Sequence, residues 1–243
     1  MMPSSPSSAP LGANVLVTGA NRGIGLGIVK EILKTDGIVH LFAGCRNPSQ
    51  AEVLWEFVDS FSNAVAEVRK MLGSEEEKGL HTLINNAGIL EKEGGTLLAP
   101  DRAAYLRHFN VNVVGTVATT AAFLPLLRKA AATNSEGQTE EQQAAPVVRV
   151  VNIGGALGCI GKAAVHHFNK MFSIDQPDFV SVAIHPGWLA TDMGGTTAPE
   201  TVEERIPQVI RLIGTLTKAD SGKLMDHEKE IEPHNKMSTK VSH

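Results

Sequence analysis

The sequence is poor in cysteine and tyrosine, and charges of neither sign dominate it. Only two of the 243 residues are cysteines, Cys45 and Cys159, which is too few for a disulfide framework and suits a reducing compartment. Neither cysteine lies in a CxxC or Cys/His spacing, so a structural zinc site has little support. The net charge of −4 includes no basic surplus, which argues against nucleic acid as a partner.

Long apolar runs are also missing, and none approaches the length of a membrane span. The opening residues, MMPSSPSSAP, lack the apolar centre of a signal peptide, so a disordered lead is expected over residues 1–12. Hydrophobic residues make up 42% of the chain, which is enough for a large core. We therefore expect a cytoplasmic protein with one folded domain over residues 13–233 and a loose tail over residues 234–243.

Apolar segments alternate with helical patterns along the chain. Strands are predicted over residues 14–18, 38–43, 80–85, 147–153 and 179–185. Helical patterns cover residues 24–33, 61–72, 101–129, 162–174 and 202–216. Strands that are apolar throughout and alternate with helices indicate a doubly wound parallel sheet with both faces covered, in a single α/β domain.

A glycine-rich turn, TGANRGIG at residues 18–25, follows the first strand and opens the first helix. Gly19 permits a tight turn, Gly23 lets the backbone approach a pyrophosphate, and Gly25 permits close packing of helix on strand. The positive end of the helix then meets the negative charge. No Gly-Lys-Ser/Thr follows, so the turn is not a P-loop. The context favours a Rossmann-like dinucleotide site over a plain glycine turn.

Two arginines decide which dinucleotide the sequence favours. The second strand ends in Arg46, where an acidic residue would bind a ribose 2′-hydroxyl, and Arg22 lies within the glycine turn. Guanidinium groups suit a 2′-phosphate through charged, often bidentate hydrogen bonds. The cofactor predicted is NADP, and the alternative is that both are ordinary surface arginines.

Four segments together resemble the short-chain dehydrogenase/reductase family. They are TGANRGIG, NNAG at 85–88, FNVNVVG at 109–115 and HPGWLATDM at 185–193. The phrases CRNP and HPGWLATDMGG resemble its carbonyl-reductase-like branch, often called sniffer or C-factor. The resemblance runs from about residue 14 to residue 233. It implies a Rossmann-like fold and NADPH-dependent reduction of a small carbonyl compound.

The resemblance also implies roles for individual residues. Asn112 would help to hold a water of the proton relay, and Lys162 would bind the nicotinamide ribose and lower the pKa of a tyrosine. The remaining cofactor-binding positions implied are Gly19, Asn21, Arg22, Gly23, Ile24, Gly25, Arg46, Asn85, Ala87, Gly88, Pro186, Gly187 and Thr191.

The two catalytic hydroxyls of the family are absent. Its tyrosine lies four residues before the lysine, which is Gly158 here, and its serine falls at Gly155. Loss of a positioned general acid typically costs about 10²–10⁴ in rate. Whether the chain is an enzyme is therefore open. It is either an NADP(H)-dependent oxidoreductase with impaired catalysis, or a non-catalytic NADP(H)-binding pseudoenzyme or truncated isoform.

No other residue is expected to replace the hydroxyls. Tyr105, the only tyrosine, is predicted to lie on a helix face, and His166 falls on a helix that the family uses for subunit contact. The family implies a homodimer, or a heterodimer with an intact relative, through the helices predicted at 101–129 and 162–174.

The second βα segment is shortened. Residues 45–80 are few for two helices, a strand and their connections, which need roughly 40 residues or more. The adenine-side aspartate of the family has only Asp59 as a candidate. The interval from Gly155 to Lys162 is short as well, which favours an alternative transcript, a gene-model error or a decayed paralogue.

Overall fold

The computed structural model describes residues 11–45, 56–73, 78–91, 95–96, 99–133, 147–154 and 160–226. The strands are β1 Asn14–Thr18, β2 His40–Gly44, β3 Thr82–Asn85, β4 Gly95–Thr96, β5 Ala99–Pro100, β6 Arg149–Ile153, β7 Val180–Ile184 and β8 Leu224–Met225. Six of them form one parallel sheet in the order β2-β1-β3-β6-β7-β8, and β4 pairs with β5 in a separate antiparallel ribbon. The predicted doubly wound parallel sheet is confirmed.

The helices are α1 Gly23–Ile32, α2 Glu56–Leu72, α3 Arg102–Phe109, α4 Gly115–Thr133, α5 Ile160–Asp175 and α6 Val202–Thr215. A π-helical turn, Asn110–Val114, joins α3 to α4, and a 3₁₀ turn, Lys218–Asp220, precedes β8. The single helical stretch predicted over 101–129 is therefore two α-helices joined by a π turn.

Two hydrophobic cores lie on opposite faces of the sheet. Successive side chains of a strand point to opposite faces, so Val15 and Val17 enter one core and Leu16 enters the other. Helices α1 and α6 cover the first face, and α2, α4 and α5 cover the second. A Cβ at Gly27 of α1 would overlap Val202 of α6, so these two helices pack in close contact.

The strand order places the switch point between β1 and β3. The chain runs from β1 outward to β2 and returns to β3 on the other side of β1, so the connections leave in opposite directions. Ligands of such sheets bind in the crevice at the carboxyl ends of the strands near that point. The glycine turn follows β1 and the NNAG segment follows β3, so both line this crevice.

Strand β2 is the outer strand of the sheet next to β1. Between β2 and β3 the described residues contain one helix, α2, and no further strand. Asp59 lies within α2. Arg46, Gly155, Gly158, Cys159, the lead up to residue 10 and the tail from residue 227 lie outside the described residues.

One helical run has the length and composition of a membrane span, which differs from the sequence expectation. The run is Arg102–Thr133, and 44% of its most apolar window is buried. Phe123, Leu126 and Leu127 of this run belong to the core on the second face of the sheet. Part of this run is therefore packed against the sheet.

Candidate functional site

The glycine turn after β1 has the backbone geometry of an anion cradle. Gly19 and Gly23 have φ values of 64° and 51°, in the left-handed region that favours glycine. A Cβ at Gly25 would overlap the Gly19 carbonyl, so α1 starts in direct contact with the turn. The first turn of α1 holds no acidic residue, and the N-cap Arg22 makes no side-chain cap bond. The positive helix end thus fits a pyrophosphate. Within this turn, Asn21 and Arg22 are exposed and Ile24 is half-buried.

Asn86, rather than Asn85, joins β3 to the glycine turn. The Nδ2 of Asn86 donates to the carbonyl oxygens of Thr18 and Gly19 at 3.0 and 3.1 Å. The backbone N–H groups of Asn86 and Ala87 donate to Thr18 Oγ1 at 3.0 and 3.1 Å. Thr18 and Asn86 are thus site residues that the sequence analysis missed, although both stand inside the motifs it quoted.

Asn85 points into the interior of the second face instead. Its Nδ2 donates to Thr120 Oγ1 and to Asn152 Oδ1, each at 2.9 Å. Asn152 donates on to Asn169 at 3.2 Å, and Ser181 donates to the same Asn169 oxygen at 2.7 Å. This buried polar chain ties β3, β6 and β7 to α4 and α5. Asn85 therefore supports the end of β3 from the protein interior and does not face the crevice itself.

Asn112 lies in the π turn and clamps the loop that follows β3. Its side chain is 2% exposed; Oδ1 accepts from Ile89 N at 2.8 Å, and Nδ2 donates to Ile89 O at 2.9 Å. A Cβ at Gly88 would lie 3.1 Å from Asn112 Oδ1, so the loop passes close to the turn. π turns inside helices occur frequently at functional sites. The water-holding role implied for Asn112 stays a prediction.

The loop after β3 is also anchored to α3. Glu91 N donates to Nε2 of the buried His108 at 2.8 Å. Arg107 makes two hydrogen bonds to the Glu91 carboxylate, at 3.0 and 2.8 Å, and these lower the pKa of that carboxyl. Tyr105 is half-buried on the same helix. The loop that carries Ala87 and Gly88 is thus held from two sides.

Lys162 reaches the end of β6. Its Nζ donates to the Ile153 carbonyl oxygen at 2.9 Å, and the side chain is partly buried. Helix α5, which carries it, packs against the π turn, so Lys162 and Asn112 lie on neighbouring elements at the same edge of the sheet. The structure brings both predicted catalytic residues to the carboxyl ends of the strands.

The segment after β7 forms the opposite wall of the crevice. Gly187 has a φ of 98°, and a Cβ there would lie 3.1 Å from Glu200 Oε2. The Glu200 carboxylate pairs with the buried Arg205 of α6 through two contacts, one of them Nε to Oε2 at 3.1 Å. Pro186 is buried beside them. The pair thus braces the wall against α6.

The two walls meet at their rims. A Cβ at Gly23 would lie 3.6 Å from the Thr191 methyl carbon, and Gly194 N donates to Thr191 Oγ1 at 3.0 Å. Arg22 Nη1 lies 3.1 Å from Asp192 Oδ2, with the two side chains 68% and 81% exposed. Gly23 therefore faces Thr191, and Arg22 faces Asp192, across the mouth of the crevice.

No group of three or more His, Cys, Asp or Glu side chains within the described ranges is placed to hold a metal ion. The ligand that the crevice fits is a phosphorylated nucleotide. A parallel sheet, a glycine turn with an uncapped helix end and a bracing loop on the far side together define a Rossmann-like, dinucleotide-binding type of domain.

Comparison with known proteins identifies the family. A sequence model described as short chain dehydrogenase matches residues 13–201, so the chain belongs to that family. The carbonyl reductase Sniffer of D. melanogaster is 30% identical, with a TM-score of 0.76 over 90% of this chain and 98% of that one. An NADPH-bound carbonyl reductase from chicken fatty liver is 28% identical, with a TM-score of 0.76 over 91% and 98% of the two chains.

A third relative extends the comparison to yeast. An uncharacterized oxidoreductase of Schizosaccharomyces pombe is 27% identical over 244 residues, which cover 89% of this chain and 88% of that protein. The family resemblance and its sniffer-like branch are thereby confirmed, and the chain is of the oxidoreductase type.

Proposed function

We propose that this protein binds NADP(H) and reduces a small carbonyl compound in the cytoplasm, at a rate limited by the loss of the family's two hydroxyls. The observation that carries the proposal is the glycine turn, whose uncapped helix end opens on the crevice opposite Thr191. When bound, NADPH supplies a hydride to the carbonyl carbon. The chain's own residues hold and orient the cofactor.

The preference for NADP over NAD rests on Arg22. Its guanidinium group already engages the Asp192 carboxylate at the mouth of the crevice, so it is placed to bind an anion there. A 2′-phosphate offers more charge and more acceptor oxygens than one carboxylate. Arg46 is proposed to add a second guanidinium. The carbonyl reductase from chicken fatty liver is described as NADPH-bound, which supports the same choice.

Lys162 and Asn112 are proposed to orient the nicotinamide end. An ammonium group carries three donors, so Lys162 can bind ribose hydroxyls from its position at the Ile153 carbonyl. Asn112 holds the loop after β3 through two hydrogen bonds to Ile89, and these bonds are proposed to fix the position of Gly88 at the floor of the cofactor site. Pro186, Gly187 and Thr191 of the braced wall are proposed to position the carboxamide.

The sequence at Gly155 and Gly158 favours a second candidate, a non-catalytic NADP(H)-binding protein. Such a protein would keep the glycine turn and Lys162 while lacking the proton donor.

Apolar side chains are exposed on the helices that the family uses for subunit contact. They are Leu106, Phe109, Val117, Met171 and Ile174. We propose a homodimer, or a heterodimer with an intact relative, through this surface.

The test follows NADPH fluorescence of the purified protein before and after addition of 2,3-butanedione. Enhanced emission on mixing is expected from a folded cofactor site. A subsequent decay faster than that of a Lys162→Ala control supports the reductase, and enhancement without decay supports the non-catalytic candidate. An emission spectrum identical to that of free NADPH contradicts both.

A further inference from the structure

At the end of β6, the side chain of a histidine from α5 occupies the space that a side chain at Gly154 would fill. Gly154 directly follows the strand and is buried. A Cβ at this glycine would be 2.8 Å from His166 Nε2 and 3.4 Å from its Cδ2. The imidazole of α5 therefore fills the volume above Gly154, one residue before the position of the family's serine. A side chain at residue 154 would displace the ring from this position.

The Nε2 atom of His166 is buried and has no hydrogen-bond partner within the described residues. A buried acceptor or donor without a partner costs free energy, about 1–3 kcal/mol in typical proteins. In native structures such an atom marks a catalytic role, local strain, or a bound water or ion. The atom lies at the carboxyl ends of β6 and β7, which is the edge of the sheet where the cofactor is proposed to bind.

The charged groups around His166 are mostly basic. Lys162 lies one helical turn earlier and bonds to the Ile153 carbonyl, and His185 follows β7. Burial lowers the pKa of His166, and the nearby charges of Lys162 and His185 lower it further. The buried Asp226 follows Met225 at the same edge of the sheet, and the Met225 carbonyl accepts from His185 N. The imidazole is thus neutral for most of the time at pH 7.

We propose that His166 transfers the proton in this protein, in place of the missing tyrosine and serine. The inference rests on the proposed reductase function. In reduction, the carbonyl carbon takes the hydride of NADPH, the C–O π pair moves to oxygen, and that oxygen takes the proton of His166 Nε2–H. The N–H electron pair stays on the imidazole, and solvent protonates the ring again. In oxidation of the alcohol, neutral His166 accepts the proton.

The pH dependence follows from the lowered pKa. Reduction requires imidazolium, which is the minor form at pH 7 because burial lowers the pKa of His166 below its ordinary value. The rate of reduction is therefore expected to rise as the pH falls from 8 towards 6, approaching tenfold per pH unit. Oxidation of the alcohol shows the opposite trend and reaches a plateau above neutral pH.

The first experiment compares His166→Gln with His167→Gln, a neighbouring exposed histidine on the same helix. Initial rates of NADPH consumption with 2,3-butanedione are measured from pH 5.5 to 8.5. His166→Gln is expected to lose about 10²–10³ in rate together with the rise at low pH. His167→Gln is expected to keep both. A His166→Gln variant with the wild-type rate and pH profile overturns the proposal.

Two further measurements separate catalysis from folding and from cofactor binding. Gly154→Ala places a methyl against Nε2 and is expected to lower the rate while NADPH still gains fluorescence on mixing. The ¹⁵N shift of His166 Nε2 is expected to change when NADP⁺ and 2,3-butanediol are added together. An unchanged shift overturns the His166 proposal alone. Wild-type protein that binds NADPH without turnover also overturns it, whereas absence of NADPH binding overturns the proposed function itself.

Discussion

Thr18 is the residue on which the glycine turn and the NNAG segment both depend. Its Oγ1 accepts hydrogen bonds from the N–H groups of Asn86 and Ala87 at 3.0 and 3.1 Å. Thr18→Val keeps the shape of the side chain but removes the acceptor, so no cavity forms and two backbone donors lose their partner. Thr18→Ser keeps the hydroxyl and loses only a methyl group. The two variants therefore separate the hydrogen bonds from the packing.

The magnitude follows from the burial of the two donors. An unpaired buried donor costs about 1–3 kcal/mol, and both Asn86 and Ala87 are only half-buried, so water recovers part of that loss. We expect Thr18→Val to lower the free energy of unfolding by about 2 kcal/mol, and Thr18→Ser by less than about 1 kcal/mol. The variant is also expected to weaken NADPH binding, because the turn loses its connection to β3.

The assay is urea unfolding followed by circular dichroism, together with NADPH fluorescence titration of each variant. Equal stability of Thr18→Val and Thr18→Ser would refute the reasoning, because it would mean that the two donors find other partners at no cost. A loss of stability without any loss of NADPH affinity would separate the turn's geometry from cofactor binding.

Three further predictions concern charges. Asp192→Asn removes the ion-pair partner of Arg22 and is expected to tighten NADPH binding about two- to fivefold, a small effect because exposed ion pairs are weak. NADH binding is expected to gain less. Equal gains for NADPH and NADH in parallel titrations would contradict this prediction. Arg149→Ala removes a buried guanidinium bonded to the carbonyl of Val147, and urea unfolding should show a loss of about 2–4 kcal/mol with NADPH binding retained. Burial, and then Lys78, lower the pKa of His81, so the unfolded chain binds the extra proton first. Stability should therefore fall as pH drops below about 6.5, and less so in His81→Gln.

The strands and the cofactor turn could be predicted because they depend on local patterns. β1 was predicted at its observed bounds, Asn14–Thr18, since an apolar run ends there at a glycine turn. β8, Leu224–Met225, was missed because two residues carry no periodicity, and only pairing with β7 makes them a strand. The break between α3 and α4 was also missed. At this break Asn112 bonds to the backbone of Ile89, a contact between segments distant in sequence that local patterns do not reveal.

The exchange of Asn85 for Asn86 has a simple physical origin. Successive strand residues face opposite sides of a sheet, and β3 ends at Asn85. Asn85 is therefore directed into the second face, where Thr120 and Asn152 bind it, and the next residue turns towards the glycine turn. The motif alone does not show which asparagine faces the interior and which faces the glycine turn. The position at which β3 ends decides between them.

His166 shows how the residues at one strand end change the chemistry available at a familiar type of site. The family resemblance placed it on a contact helix, and helix periodicity alone does not reveal what lies beneath a residue. In the structure, Gly154 has no side chain, so the imidazole of His166 packs directly against the end of β6. Lys162, one turn earlier, reaches the carbonyl of Ile153 next to that glycine. A lysine and a neutral histidine thus occupy the strand end at which two hydroxyls are absent. A lysine alone would serve cofactor binding, whereas the imidazole adds a group that exchanges a proton near neutral pH.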